Sequence, residues 1–246
     1  MNRCPTLPAL GAIAIVLALI LPAGASAARA HTHGGSVHVR HERIHRAPRK
    51  GRKHRHSRHH ARKHTKTKSH HNKRHLGKGH GRPATASRDC PGANLTPNAS
   101  NIASVVAATL CLINDERARF GEPALIEDPR LAGTATEHSR DMDARDYFEH
   151  TSPSGQTLLD RIQASGFIAN ANVGYTLGEN IAWGTLWLGT PRTIVKAWME
   201  STGHRANILD GAFSETGIGV DPDLPLSMSD GQAGGMYTQD FGTIVG

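Results

Sequence analysis

Residues 197–209 read AWMESTGHRANIL, and this stretch says most about the fold. A helix is predicted to start at Thr190-Pro191, because proline is tolerated in the first turn of a helix. Ile194, Val195 and Trp198 follow at helical spacing, and Gly203 lies where a helix-ending glycine is common. His204 is therefore expected just past a helix end, beside a turn, where an imidazole can reach a neighbouring site.

Three more segments carry polar groups in unusual places. Residues 147–153 (YFEHTSP) put His150 directly after a predicted helix. Residues 178–182 (GENIA) put Glu179 inside an otherwise apolar strand, and residues 237–242 (YTQDFG) form the last predicted strand. A carboxylate in an apolar strand needs a partner, because an unpaired buried charge is costly.

The order of elements predicts the fold class. Helices are expected from Thr96-Pro97, from Asp128-Pro129 and over residues 155–165, ahead of the helix described above. Strands are expected at 173–183, 216–221 and 235–244. Helices that come first and strands that come late favour an α+β fold, in which helices cover an antiparallel sheet.

Taken in this order and spacing, the four segments closely resemble the CAP superfamily of cysteine-rich secretory, antigen 5 and pathogenesis-related proteins. The similarity covers about residues 100–244 and is greatest to the bacterial secreted branch, which reads S-P-G-H-R-x-N-I-L and Y-T-Q-x-F-G. The resemblance implies a three-layer α-β-α sandwich with a central antiparallel sheet and a surface cleft.

Animal and plant members of that family hold two His and two Glu in the cleft. By resemblance, His150 matches the first His and Glu179 the first Glu. The second Glu position carries Ser201 and the second His position carries Met236, so both are absent here. His204 is the candidate replacement, and no residue is assigned a catalytic role.

Three interpretations of the cleft stay open. Two imidazoles and one carboxylate suit an open Zn²⁺ site, and Zn²⁺ is the candidate cofactor. The same groups could perform acid–base catalysis or only hydrogen-bond the turns. Four polar residues are expected to support the cleft: Asn180, Arg205, Asn207 and Gln239. His138, on an apolar helix face, is expected to be a hydrogen-bonded core histidine.

The N-terminus has the pattern of a secretory signal peptide, predicted over residues 1–27. Arg3 precedes a 12-residue apolar run, and Ala25-Ser26-Ala27 is a cleavage pattern. We expect a secreted protein without a transmembrane segment after processing. Cys90 and Cys111 are then predicted to form a disulfide, which could add about 3 kcal/mol.

Residues 28–89 are predicted to be a disordered His/Lys/Arg-rich segment, ahead of a domain at 90–246. Residues 29–88 hold 19 Lys and Arg and a single acid, Glu42, for a net charge of +18. They contain few large apolar side chains. The expected partner is an anionic cell-envelope polymer or lipid; loose metal binding and a plain spacer are alternatives. Without aromatic residues, specific nucleic-acid binding is not expected.

Two functions compete at this point. The first is a non-catalytic module that associates with the cell wall and binds an unidentified ligand in its cleft or a partner on its surface. The second is a metal-dependent hydrolase of peptide or cell-wall material. The sequence has no G-x-S-x-G elbow and no predicted H-E-x-x-H helix, since the letters HERIH at residues 41–45 fall in the segment predicted to be disordered; this favours the first function.

Overall fold

The computed structural model describes residues 37–46 and 89–245. The helices are α1 (Ile102–Phe120), α2 (Pro129–Ala144), α3 (Leu158–Ala164), α4 (Pro191–Glu200), α5 (Thr202–Ile208) and α6 (Leu226–Ser229), with a 3₁₀ turn at Leu186–Gly189. The strands are β1 (Val37–Arg46), β2 (Ile126–Glu127), β3 (Gly174–Thr185), β4 (Glu215–Asp221) and β5 (Gly234–Val245). The three strands predicted from sequence correspond to β3, β4 and β5.

The five strands form one sheet in the order β1-β3-β5-β4-β2. Neighbouring strands are antiparallel except for the two-residue β2, which runs parallel to β4. Helices cover both faces of this sheet, so the predicted α+β sandwich of three layers is confirmed.

Alternation along the strands sends side chains to two different cores. On one face, α2 and α3 pack on the odd-numbered residues of β3, as in the cluster Leu131, Leu158, Ile162, Tyr175 and Leu177. On the other face, α1, α4 and α5 pack against Ala182, Ile218, Val220, Tyr237 and Phe241. We call these the α2 face and the α5 face.

Close contact between α2 and the sheet depends on two glycines of β4. A Cβ on Gly217 would lie 2.0 Å from the backbone nitrogen of Ala132, and one on Gly219 would lie 2.1 Å from the backbone of Ala135. Any side chain there would force the helix off the sheet. This contact sets the depth at which α2 lies over the middle of the sheet.

Local signals place the helices that frame the site. Asp128 caps α2 by accepting a hydrogen bond from the Arg130 nitrogen at 2.8 Å, as the Asp-Pro start predicts. A capping box of Thr157 and Asp160 starts α3. The predicted helix end at Gly203 is wrong: α4 ends where Ser201 turns extended, and Gly203 lies inside α5.

The predicted disorder of residues 28–89 is wrong for Val37–Arg46. All ten of these residues pair with β3, in an antiparallel register from Val37 opposite Gly184 to Arg46 opposite Tyr175. An edge strand can form through backbone hydrogen bonds without a large apolar surface of its own. The predicted signal peptide and residues 28–36 and 47–88 lie outside the described residues.

The predicted disulfide is confirmed, with Cys90 and Cys111 joined across 21 positions of the chain. It ties the segment before α1 to the middle of that helix. Over residues 37–46 and 89–245, no helix combines the length and apolar character that crossing a membrane requires.

Candidate functional site

Glu179 is the centre of the polar cluster on the α2 face. It lies in the middle of β3, and its side chain is 0% exposed. One carboxylate oxygen, Oε1, lies 2.7 Å from His150 Nδ1, and the other, Oε2, accepts a hydrogen bond from Arg161 Nη2 at 2.6 Å. Both oxygens are therefore engaged by neighbouring side chains, as a buried carboxylate requires.

Arg161 joins the site to its supporting loop. It lies on the inward face of α3, between Leu158 and Ile162, and is 6% exposed. Besides binding Glu179, its Nη1 donates to the backbone oxygen of His150 at 3.0 Å. One guanidinium thus holds both the strand that carries the carboxylate and the loop that carries the imidazole.

The protonation of His150 follows from its burial. Burial lowers its pKa to about 4, and the positive charge of Arg161 adds to that effect while Glu42 opposes it. The ring is therefore neutral at pH 7, and we assign its proton to Nδ1, which donates to Glu179. The other nitrogen, Nε2, is left with a free lone pair and is buried without a hydrogen-bond partner among the described residues.

Three acids lie in one row across the sheet. Glu42 of β1 is directly opposite Glu179, and Glu179 is directly opposite Asp240 of β5. Residues directly opposite each other share a sheet face, so all three carboxyls point toward α2 and α3. One buried arginine, Arg161, serves this row, which makes full ionisation of all three acids unfavourable.

Protonation of the row resolves that conflict. Burial, reinforced by the nearby Glu179, raises the pKa of Asp240 well above its usual range, and Thr134 Oγ1 donates to it at 2.6 Å. Burial also raises the pKa of Glu179 to about 7, although Arg161 pulls it down. Asp240 therefore keeps its proton near neutral pH, and Glu179, next to Arg161, is the member of this pair that ionises as the pH rises through about 7.

His138 borders the same cluster from α2. Its side chain is 1% exposed, as the prediction of a core histidine requires, and its Nε2 lies 3.8 Å from Glu179 Oε1. Its Nδ1 lies 3.4 Å from the hydroxyl of Tyr147. Burial lowers its pKa to about 3, so it stays neutral. His138 is thus both a core residue and a wall of the site.

His204 does not join this cluster, contrary to the sequence prediction. It is carried by α5 on the opposite face of the sheet, where its Nδ1 lies 2.7 Å from Ser201 Oγ. Its backbone oxygen accepts from Asn180, the neighbour of Glu179 that points to the α5 face. The break at Ser201 starts a new helix and directs His204 away from the α2 face, toward the His41 ring 5.1 Å away.

The four supporting residues form no hydrogen bond with the Glu179 carboxylate in the described part of the chain, although Asn207 Nδ2 donates to the Glu179 backbone oxygen at 3.4 Å. Asn207 Nδ2 donates to Asn180 Oδ1 at 3.0 Å and to the backbone oxygen of Glu42 at 3.0 Å, which links α5 to β1 and β3. Gln239, opposite Asn180 in the sheet, donates to Thr216. Arg205 is exposed and stacks 4.7 Å from the Phe120 ring. These residues stabilise the α5 face rather than the candidate site.

A different set of three residues meets the requirement for a metal. Glu42, His150 and Glu179 each offer one ligand atom, and these atoms all lie within 4.8 Å of one another. One oxygen of Glu42 is also buried without a hydrogen-bond partner among the described residues. An imidazole with two carboxylates is a donor set that suits Zn²⁺, so the residues fit this ion.

A cavity of about 470 Å³ lies between α2 and α3, behind Glu179. Its walls include Thr134, His138 and Arg161, the residues that touch the buried acids. Charged residues that also line it include Arg130, Glu137 and Asp141. Thr134, His138 and Arg161 therefore lie between the cavity and the buried acids, and β1 pairs with β3 at the sheet edge.

Sequence reasoning missed Arg161, Asp240 and Glu42. Arg161 had a usable signal, because it occupies an inward position of an amphipathic helix, three residues after Leu158. Glu42 had another, as the single acid among residues 29–88. The position of Asp240 opposite Glu179 can be inferred only when the register between β3 and β5 is known.

The comparisons with known proteins agree with this architecture. Residues 110–240, more than half of the chain, match the family described as "CAP: Cysteine-rich secretory protein family". The chain therefore belongs to the CAP family. The predicted resemblance is confirmed.

Two curated relatives come from Bacillus subtilis (strain 168). The uncharacterized protein YkwD is 35% identical over 161 residues, which cover 65% of this chain and 54% of the relative. The uncharacterized membrane protein YlbC is 34% identical over 113 residues, 46% of this chain and 30% of the relative. The chain thus spans about half or less of the length of these relatives.

Among solved structures, an extracellular protein containing an SCP domain from Bacillus anthracis is 29% identical. The match covers 59% of this chain and 43% of that chain, with a TM-score of 0.46.

Proposed function

We propose that this protein is a secreted, non-catalytic binding module. The observation that carries the proposal is that Glu179 has both oxygens engaged, by Arg161 at 2.6 Å and by His150 at 2.7 Å, and is fully buried. A general acid or base must reach the proton that it transfers in the bound substrate. A carboxylate held in this way instead shapes and rigidifies a surface for recognition.

Secretion is supported by the signal-peptide pattern at residues 1–27, by the disulfide and by the secretory description of the family. We propose that the basic segment at 29–88 holds the module near an anionic envelope polymer. The segment has a net charge of +18, whereas the domain at 90–246 carries 9 Lys and Arg and 19 Asp and Glu. The attraction of a basic segment to an anionic polymer is generic and weakens as the salt concentration rises.

The rival function is a metal-dependent hydrolase. It is favoured by the bare Nε2 of His150 and by the grouping of Glu42, His150 and Glu179. A bound Zn²⁺ could lower the pKa of a water and supply a nucleophile. Against this role, the cation of Arg161 already neutralises Glu179, and β1 covers the site at the sheet edge.

One experiment separates the two functions. The full chain is incubated with Zn²⁺ and assayed for hydrolysis of peptides and of peptidoglycan, beside the variants His150→Ala and His204→Ala. We expect no turnover above background in any of the three proteins. Turnover that disappears in His150→Ala and persists in His204→Ala, the matched control on the other sheet face, would overturn the proposed function.

The attachment of the basic segment is tested separately. Lys and Arg within residues 49–82 are replaced by Gln, which leaves β1 unchanged. Retention on isolated cell envelope is then measured against salt concentration. We expect the wild-type protein to be released as salt rises and the variant to be retained weakly at every concentration. Equal, salt-insensitive retention of both proteins contradicts envelope attachment.

A further inference from the structure

The strand that pairs with the outer edge of β3, β1, comes from a segment far upstream of the rest of the domain. The family match begins at residue 110, whereas β1 comes from the basic segment far upstream. Without β1, the sheet would end at β3, and the backbone groups on its outer side would be unpaired. Such an edge is a template for an added strand. In this chain β1 fills it over ten residues.

On the α2 face, side chains of β1 are held by the domain. Arg40 donates to Glu149 at 2.5 Å, and its guanidinium lies 5.7 Å from the centre of the Phe148 ring. Two residues later, Glu42 approaches His150 and Glu179. A basic and an acidic side chain of the strand therefore each find a partner, in addition to the backbone pairing.

On the α5 face, the strand is held by a second set of contacts. Arg43 forms an ion pair with Asp210, and its guanidinium lies 5.4 Å from the centre of the Phe213 ring. The His41 ring packs edge-on against His204. Gly203 leaves room for that imidazole, since a Cβ there would lie 2.0 Å from His41 Cε1.

These contacts define what the edge accepts. Each arginine of the strand meets a carboxylate and an aromatic ring, one pair on each face of the sheet. Backbone pairing supplies affinity and the alternating side-chain sites supply selectivity, as in peptide recognition by strand addition. We use the name β3 groove for the outer edge of β3 together with the residues that contact β1 beside it. These residues are Phe148, Glu149, His204, Asn207, Asp210 and Phe213.

We propose that the β3 groove is a binding site for an extended basic peptide segment, and that Val37–Arg46 is its intramolecular occupant. A foreign segment of the same chemistry, with arginines spaced three apart, binds by displacing β1. This inference deepens the proposed function and rests on it. Because the occupant belongs to the same chain as the groove, its binding is intramolecular, so a foreign segment binds well only when β1 is weakened.

The test uses the full chain in three forms: wild type, Arg40→Glu with Arg43→Glu, and the matched control Arg49→Glu with Arg52→Glu. Hydrogen exchange of the backbone amides over residues 38–45 reports whether β1 is docked. We expect protection in the wild type and the control and its loss in the Arg40/Arg43 variant. Absence of protection in the wild type overturns the proposal.

The second measurement adds a fluorescent peptide of sequence VHVRHERIHR to the same three proteins. We expect binding to the Arg40/Arg43 variant to be about tenfold or more tighter than to the wild type, since the occupant no longer competes. Adding Glu149→Gln and Asp210→Asn to that variant should greatly weaken binding, because the arginines of the peptide lose their carboxylate partners. Equal binding of a scrambled peptide of the same composition overturns the proposal, because charge alone would then explain the affinity.

The two proposals fail in different ways. Hydrolysis that depends on His150 would refute the non-catalytic function whether or not the peptide binds. Loss of the peptide interaction, with no hydrolysis detected, would refute the β3 groove alone.

Discussion

Replacing Arg161 by Met removes the cation that neutralises Glu179 while keeping much of the side chain's volume. The pair lies at 2.6 Å, with the two side chains 6% and 0% exposed. Breaking a buried ion pair on one side leaves an uncompensated charge and costs about 3–5 kcal/mol. For a domain of this size, each kcal/mol shifts Tm by about 2–4 °C, so we expect Tm to fall by about 6–20 °C.

The assays are thermal unfolding, which gives Tm, and urea unfolding, which gives the free energy of unfolding, both at pH 8 and both monitored by circular dichroism. Lys196→Met is the control, because Lys196 and Glu200 form an ion pair of similar length that is 67% and 65% exposed. Such a surface pair contributes about 0–1 kcal/mol. The double variant Arg161→Met with Glu179→Gln should recover part of the lost stability, since the unpaired charge is gone.

The reasoning fails if Arg161→Met costs no more than Lys196→Met, or if Glu179→Gln brings no recovery. A further check uses pH. Arg161 lowers the pKa of Glu179, which is about 7 with the arginine present. Without the arginine the pKa of Glu179 is higher still, so the carboxyl becomes protonated above pH 7 and the loss of stability should be smaller at pH 5 than at pH 8.

Three other outcomes are expected from urea unfolding. Replacing Cys90 and Cys111 by Ser should cost about 3 kcal/mol, by loop closure over 21 positions; an unchanged midpoint would contradict the stabilising disulfide. Gly217→Ala should cost about 3 kcal/mol of stability or prevent folding, because the added Cβ meets the backbone of α2. Gly133→Ala should be tolerated, because a Cβ there meets nothing within 4 Å. Equal losses of stability in the two variants would refute the close packing of α2 on β4. Burial lowers the pKa of His138 from 6.5 to about 3. The stability that the neutral buried ring contributes is therefore present above pH 6.5 and is lost as pH falls, by about 2 kcal/mol between pH 7 and pH 5. His138→Gln should reduce this pH dependence of the free energy of unfolding, and an unchanged pH profile would argue against a neutral buried imidazole.

The fold was largely predictable because its signals are local. An Asp-Pro pair starts α2, and β3, β4 and β5 follow alternating or apolar runs that turn residues interrupt. β1 was not predictable in this way. Its residues Arg40 to Ile44 are mostly charged or polar, and its strand conformation depends on a partner more than 130 positions away.

The site was predictable only in part. His150 and Glu179 come together as expected, because both lie in segments with a strong family pattern. The position of His204 depends on one backbone change at Ser201, which begins α5 and sends the imidazole to the opposite face. Arg161 reaches Glu179 through the packing of α3 on the sheet, and Asp240 reaches it through the register of β5 with β3. No short sequence motif predicts either contact.

The central claim is that Glu179 is committed to His150 and Arg161 and so supports binding rather than catalysis. Nitrogen-15 NMR of the histidine rings, recorded from pH 4 to pH 8, tests it most directly. We expect the His150 ring to be neutral at pH 7, with its proton on Nδ1, and to titrate near pH 4. A proton on Nε2 at pH 7, or titration near the ordinary value of 6.5, would contradict the account.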